Sequence, residues 1–138
     1  MSLILKRARN LVFIFCCFIS ASYSQTTNNT ITNWSADGSK ILITSNRGGT
    51  SEIYEMNADG SNIKQITYSK DGAVNWWGVY SPDGSKIAFY SRRDGNPEIY
   101  IMNSNGGNPK RLTFSDQYDY YPSWSPDGSK IAFYSGRD

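Results

Sequence analysis

The phrase SPDGSKIAFYS at Ser81–Ser91 returns letter for letter at Ser125–Ser135, and a looser copy, SADGSKILITS, occupies Ser35–Ser45. The copies step by 46 and then 44 residues, and a second phrase keeps the first step: EIYEMN at Glu52–Asn57 and EIYIMN at Glu98–Asn103. A period in the forties marks a supersecondary unit that cannot bury its faces alone and stacks on copies of itself. Any fold for this chain must be built from that unit.

Ser-Pro-Asp-Gly is a tight turn. Proline presets φ at the second position, aspartate bonds back to nearby backbone, and glycine takes the φ > 0 position that re-enters a strand. The turn residues are Asp37 and Gly38, then Pro82, Asp83 and Gly84, then Pro126, Asp127 and Gly128. Their flanks are short and rich in β-branched and aromatic residues, which predicts strand, turn, strand. In Lys86–Ser91, Ile87 and Phe89 point one way and Ala88 and Tyr90 the other. In Glu98–Asn103, Ile99 and Ile101 share one face, Tyr100 and Met102 the opposite one. An antiparallel sheet with one wet face alternates apolar with polar. These strands do not, so each side needs a cover. Parallel pairing is excluded because its crossovers need a dozen or more residues. A sheet held between two sister sheets meets every condition, and that is a propeller blade.

The combination WSPDGSKIAF, RDGNPEIYIMN and RLT resembles the WD-like repeat of TolB-type β-propellers, over Trp34 to Asp138. Ala36 replaces the turn proline in the first copy, and Tyr80 stands where Trp34 and Trp124 stand. The predicted fold class is all-β: four-stranded antiparallel meanders forming blades of an incomplete propeller.

Residues 1–24 read as a secretory signal, with Lys6, Arg7 and Arg9 before the apolar run Leu11–Ile19 and a cut between Ser24 and Gln25. A membrane anchor needs about 20 apolar residues, so no span is expected after cleavage. Three of the 14 basic residues lie in this segment, and without them the formal charge of +2 becomes slightly negative. The basicity therefore belongs to targeting and does not point to nucleic acid. Cys16 and Cys17 leave with it, so the mature chain carries no thiol, as suits an oxidising compartment.

Residues 25–33 read as a linker, a first strand or a closing strand. One blade is expected over about 34–68, a second over about 76–114, and a partial third over 121–138. Each runs strand, Ser-Pro-Asp-Gly turn, strand, arginine loop, strand, Asn-x-x-Gly turn, strand, with last strands at Lys64–Tyr68 and Lys110–Phe114. Propellers close with about four to eight blades. Two and a half are expected to be part of a longer ring and not to fold stably alone.

Enzyme chemistry is poorly supplied. The chain has no histidine, so no Ser-His-Asp or Cys-His arrangement can be built from it, and it has neither a Gly-x-Ser-x-Gly elbow nor a phosphate-cradling glycine loop. Asn57–Asn62 has the oxygen-bearing residues of a calcium loop but not the downstream glutamate. It reads as a hairpin turn, and neither metal nor cofactor is expected. In a four-stranded meander, alternate connections emerge on opposite rims, so the arginine loops and blade-to-blade linkers share one. That rim collects Arg47, Arg92, Arg93 and Arg137 with Trp76, Trp77, Tyr118, Tyr120 and Tyr121, residue types enriched at interface hot spots. It is the candidate partner-binding rim. The plainer alternative is that the aromatics wedge between blades and the arginines pair with Asp94 or Asp138. The expected role is a non-catalytic, exported binding or scaffold module, periplasmic or secreted, for a protein or a cell-envelope component, as the TolB resemblance implies. Similar propellers also precede the hydrolase domain of prolyl-oligopeptidase-like peptidases or are fused to peptidoglycan-binding domains, and both remain alternatives.

Overall fold

The computed structural model describes residues 27–137. The expected signal region, with its cut between Ser24 and Gln25, lies outside the described residues. Within them all regular structure is β. The first sheet contains β1 (Asn29–Trp34), β2 (Lys40–Ser45), β3 (Glu52–Asn57) and β4 (Lys64–Gln65), hydrogen-bonded in that order. The second repeats the pattern with β5 (Asn75–Tyr80), β6 (Lys86–Ser91), β7 (Glu98–Asn103) and β8 (Lys110–Arg111). A third, two-stranded sheet pairs β9 (Asp119–Trp124) with β10 (Ile131–Ser135). Every pairing is antiparallel.

The turns take the conformation their residues dictate. Gly38, Gly84 and Gly128 each adopt φ of 70°. The carboxylates of Asp37, Asp83 and Asp127 accept the backbone N–H of Ser39, Ser85 and Ser129 at 3.0, 3.1 and 3.0 Å. Two boundaries differ from the sequence expectation. The first blade begins before residue 34: residues 29–33, within the segment read as a linker, first strand or closing strand, belong to β1, paired with β2 from Asn29↔Ser45 onward. The last strands are shorter than expected. Ile66 and Leu112 still donate to Ile53 and Ile99 at 2.8 Å, but the next acceptor on the ladder is a side chain. The hydroxyls of Thr67 and Thr113 accept the N–H of Ile53 and Ile99, both at 2.9 Å. Substituting a hydroxyl for a carbonyl ends the ladder while keeping the buried donor paired.

Both faces of the central strands are covered, as their composition requires. Ile87 and Phe89 pack with Tyr80, Tyr100 and Met102 against Leu42, Ile53 and Ile66 of the first sheet, in one continuous cluster. Full burial of such side chains is worth about 1.5–3 kcal/mol each. On the opposite face Tyr90 meets Tyr120 of the third sheet edge-on, with ring centroids 5.0 Å apart. The outer face of the first sheet carries its own cluster, Ile41, Ile43, Tyr54 and Met56 with Ile63 against it.

The edge strand β5 packs between the edge strands β1 and β9, and the three form the hub. Thr32 donates its hydroxyl to Gly78 O at 2.7 Å, and Trp124 Nε1 donates to Val79 O at 3.2 Å. The first two sheets approach closely at Gly78, where a Cβ would lie 3.1 Å from Ile53 Cγ2 and 3.4 Å from Leu42 Cδ1.

Candidate functional site

Backbone bonds between loops assign the rims. Ala58 N donates to Ser39 O and Ser104 N to Ser85 O, tying each Ser-Pro-Asp-Gly turn to an Asn-x-x-Gly turn. On the other side Asn75 N donates to Ser51 O, Arg92 N to Val74 O, and Asp119 N to Pro97 O. Arginine loops and linkers therefore share one rim, as the meander topology requires.

The arginines on that rim are not equivalent. Arg47, Arg93 and Arg137 repeat one arrangement. Each Nε donates to the serine two residues earlier, Ser45, Ser91 or Ser135, at 3.0, 3.1 and 2.9 Å. Each Nη2 donates to the residue opening its own sheet: Asn29 Oδ1 at 3.2 Å, Asn75 Oδ1 at 3.1 Å, Asp119 Oδ2 at 2.9 Å. The guanidinium carbons stand 4.9, 4.7 and 5.5 Å from the ring centres of Tyr54, Tyr100 and Phe133. These three clamp the first two strands of a sheet to each other. Asp94 is not a clamp partner of Arg93, whose donors go to Ser91 and Asn75, and Asp138 lies outside the described residues. Asp94 lies instead 3.5 Å from Arg111 and accepts the Tyr100 hydroxyl. Arg92 is different: it is exposed and stands at a position occupied by Asn46 and Gly136 in the other repeats.

The aromatics cluster at the start of β5 and β9. Register shifts interrupt the pairing between Trp76 and Val79 and between Ala132 and Tyr134, so each hub strand carries a bulge there. The bulged residues Trp77 and Tyr121 adopt φ of 58° and 53°, a region that bulky side chains rarely enter. Their rings meet at 5.0 Å and 78°. Trp76 meets Tyr90 at 5.6 Å and 61°. Tyr120 packs on Tyr118 and Tyr121, at 5.2 and 5.7 Å. The structure thus brings Trp76, Trp77, Tyr120 and Tyr121 together and turns Arg47 and Arg93 into their own sheets.

Sequence reasoning missed the buried carboxylates. Glu52 accepts from the Thr67 hydroxyl, from Ser69 N at 2.7 Å and from Asn75 Nδ2 at 2.7 Å. Glu98, fully buried, accepts from the Thr113 hydroxyl, Ser115 N at 2.8 Å and Arg111 Nη2 at 2.7 Å. Burial pushes the Glu98 carboxyl up, but the bonds from Thr113, Ser115 and Arg111 outweigh it and hold the group below its ordinary value. The signal was present as a glutamate opening both EIY strands, with Thr and Ser 15 and 17 residues on.

The aspartates of the repeated phrase serve their own turns. Hydroxyls of Ser35, Ser81 and Ser125, then the backbone N–H groups of Ser39, Ser85 and Ser129, hold Asp37, Asp83 and Asp127 at about 2. In the loop with calcium-like spacing, Asp59 Oδ1 accepts Ser61 N at 2.9 Å, the bond of a hairpin turn.

Four-stranded antiparallel meanders stacked face to face on a hub of edge strands define blades of a β-propeller. The chain belongs to the TolB β-propeller family: the family model for the TolB beta propeller domain matches residues 69–138. Among solved structures, a protein assigned as TolB from Agrobacterium tumefaciens is 32% identical with a TM-score of 0.72, over 78% of this chain and 38% of that one. TolB from Acinetobacter baumannii is 35% identical with a TM-score of 0.61, over 73% of this chain and 25% of that one. The chain thus spans under two fifths of the length of these relatives. The tricorn protease, 17% identical with a TM-score of 0.57 over 78% of this chain and 11% of its own, shares the fold alone.

Proposed function

We propose that this chain is a binding module of an exported TolB-type propeller, which captures a protein or cell-envelope component without catalysing a reaction. The observation that carries the reading is the aromatic cluster Trp76, Trp77, Tyr120 and Tyr121 on the arginine-loop rim, with Arg92 exposed on the same rim. Aromatic and arginine side chains supply much of the energy of protein interfaces. Membership of the TolB family supports export, and the signal-like first 24 residues agree with it. A non-catalytic role is supported by where the carboxylates are spent. Glu52 and Glu98 are committed to buried networks, and Asp37, Asp83 and Asp127 to turns.

The test is capture of envelope components by the full-length exported protein, with one variant on each rim. Arg92→Glu is expected to lower capture while the unfolding midpoint stays unchanged, and Ala36→Arg, on the opposite rim, is expected to leave capture intact. Equal capture by Arg92→Glu and the parent, or equal loss in both variants, removes this rim as the binding surface.

A further inference from the structure

The junctions between successive sheets use the same repeat positions but not the same chemistry. At the first junction, Asn33 and Glu55 of the first sheet meet Tyr80 of the second. Asn33 Oδ1 accepts Tyr80 N at 3.0 Å, and Glu55 Oε2 accepts the Tyr80 hydroxyl at 2.5 Å. One repeat on, the equivalent residues are Val79 and Ile101 of the second sheet and Trp124 of the third. There Trp124 Nε1 donates to the backbone carbonyl of Val79 at 3.2 Å. Glu55 and Tyr80 line a recess between the first two sheets, and Ile101 and Trp124 line its counterpart between the second and third. Three positions thus change together, from an Asn-Glu face meeting a phenol to a Val-Ile face meeting an indole.

The surroundings stay the same. Lys40 and Lys86 donate to Asn57 and Asn103 at 2.7 and 2.5 Å, and Asp37 and Asp83 remain bonded within their own turns. Lys40 Nζ also lies 3.9 Å from Glu55, but it belongs to the same sheet and is present whichever sheet docks. Tyr80 comes from the neighbour and is 8% exposed. Burial, and then the Glu55 hydrogen bond, raise its phenol above the ordinary value, so it stays a donor. A mixed pairing strands polar groups. Tyr80 against the Val-Ile face has a hydroxyl without an acceptor and a backbone N–H without its asparagine. An indole against the Asn-Glu face, bonded to backbone as Trp124 is, leaves Glu55 without the neighbour's donor. Stranding one partner is costly, whereas replacing both by apolar groups is close to neutral, so matched sets are favoured over mixed ones.

We propose that Asn33, Glu55 and Tyr80 form a docking code, by which the second sheet fits the first and is refused by a face of the Val79–Ile101 kind. Among near-identical repeats the code fixes which sheet stacks on which. The first junction joins two four-stranded sheets, and the test is made there. Urea unfolding is compared for the protein, Tyr80→Trp, the pair Asn33→Val with Glu55→Ile, and all three together. Tyr80→Trp is expected to raise the unfolding constant about tenfold in the parent, and to leave it unchanged or lower it in the Asn33→Val, Glu55→Ile background. The preference for tyrosine then inverts with the face it meets, which a role in packing alone would not produce. If a tryptophan variant loses the fold by circular dichroism, Tyr80→Phe is measured in both backgrounds. It removes only the hydroxyl, and should raise the constant about fivefold in the parent and not at all in the converted background. If the paired background does not fold, Glu55→Ile alone replaces it. The same ranking of Tyr80 and its replacement in both backgrounds, or a Tyr80→Phe effect independent of Glu55, overturns the proposal.

Discussion

Replacing Arg93 with alanine should destabilise the propeller, and replacing its neighbour Arg92 should not. Arg93 donates from Nε to Ser91 Oγ and from Nη2 to Asn75 Oδ1, both at 3.1 Å. Both partner residues are fully buried. Removing the guanidinium takes a charged donor from each acceptor, and a buried acceptor left without its donor costs about 1–3 kcal/mol. The cation also lies 4.7 Å from the Tyr100 ring centre and 5.6 Å from that of Phe89, worth about 0.5–1 kcal/mol at a half-exposed position. The sum, discounted because the three contacts are not independent, is about 2–5 kcal/mol. Lysine keeps the charge but loses the planar fork that reaches both oxygens, so Arg93→Lys should recover less than half of it. Arg92→Ala, at an exposed position, should stay within about 0.5 kcal/mol of the parent. Urea unfolding of the protein, followed by tryptophan fluorescence, measures all three, with m expected constant. An Arg93→Ala midpoint equal to that of the parent, or an equal loss in Arg92→Ala, would refute the clamp. It follows that a joint Arg92/Arg93 replacement mixes stability with binding.

Three further outcomes are expected. Gly78→Ala places a Cβ 3.1–3.4 Å from Ile53 and Leu42 and should cost about 1–2 kcal/mol through overpacking between the sheets, read by thermal unfolding; an unchanged midpoint would mean that those side chains yield freely. Phe89→Ala, at 0% exposure, should cost about 3–5 kcal/mol in the same assay, and a loss under 1 kcal/mol would deny it a place in the inter-sheet core. The turn aspartates have folded values of about 2 against an ordinary 3.8. Their contribution to stability is therefore complete above pH 3.8 and lost as pH falls through about 2. Carboxyl NMR should give those low midpoints, and Ser81→Ala should raise Asp83 alone; an Asp83 midpoint near 3.8 in the parent contradicts the hydrogen-bonded turn.

What could be read from the sequence was whatever local chemistry decides. Ser-Pro-Asp-Gly encodes its turn within four residues, so Asp83 and Gly84 were legible, as was the two-faced burial of Ile87 through Tyr90. The division of rims followed from counting connections. The role of the arginines was not legible from their own loops. Arg47, Arg93 and Arg137 each reach back 18 residues to the start of their sheet, and only strand pairing brings that residue alongside. The bulges at Trp77 and Tyr121 are likewise a property of register, where two residues of one strand oppose one of the next. The shortened β4 and β8 turn on the Thr67 and Thr113 hydroxyls replacing backbone carbonyls, which no strand propensity reports.

The Glu52 carboxylate joins the outer strand, through Thr67, to the first residue of the following sheet, Asn75. It acts as a rivet between a unit's finish and its successor's beginning. Under tension along the chain, peeling the outermost strand would strip that rivet and loosen the neighbour at the same stroke. The unit of mechanical failure is then a whole repeat, and the extension record should climb in repeat-sized steps, not in strand-sized ones.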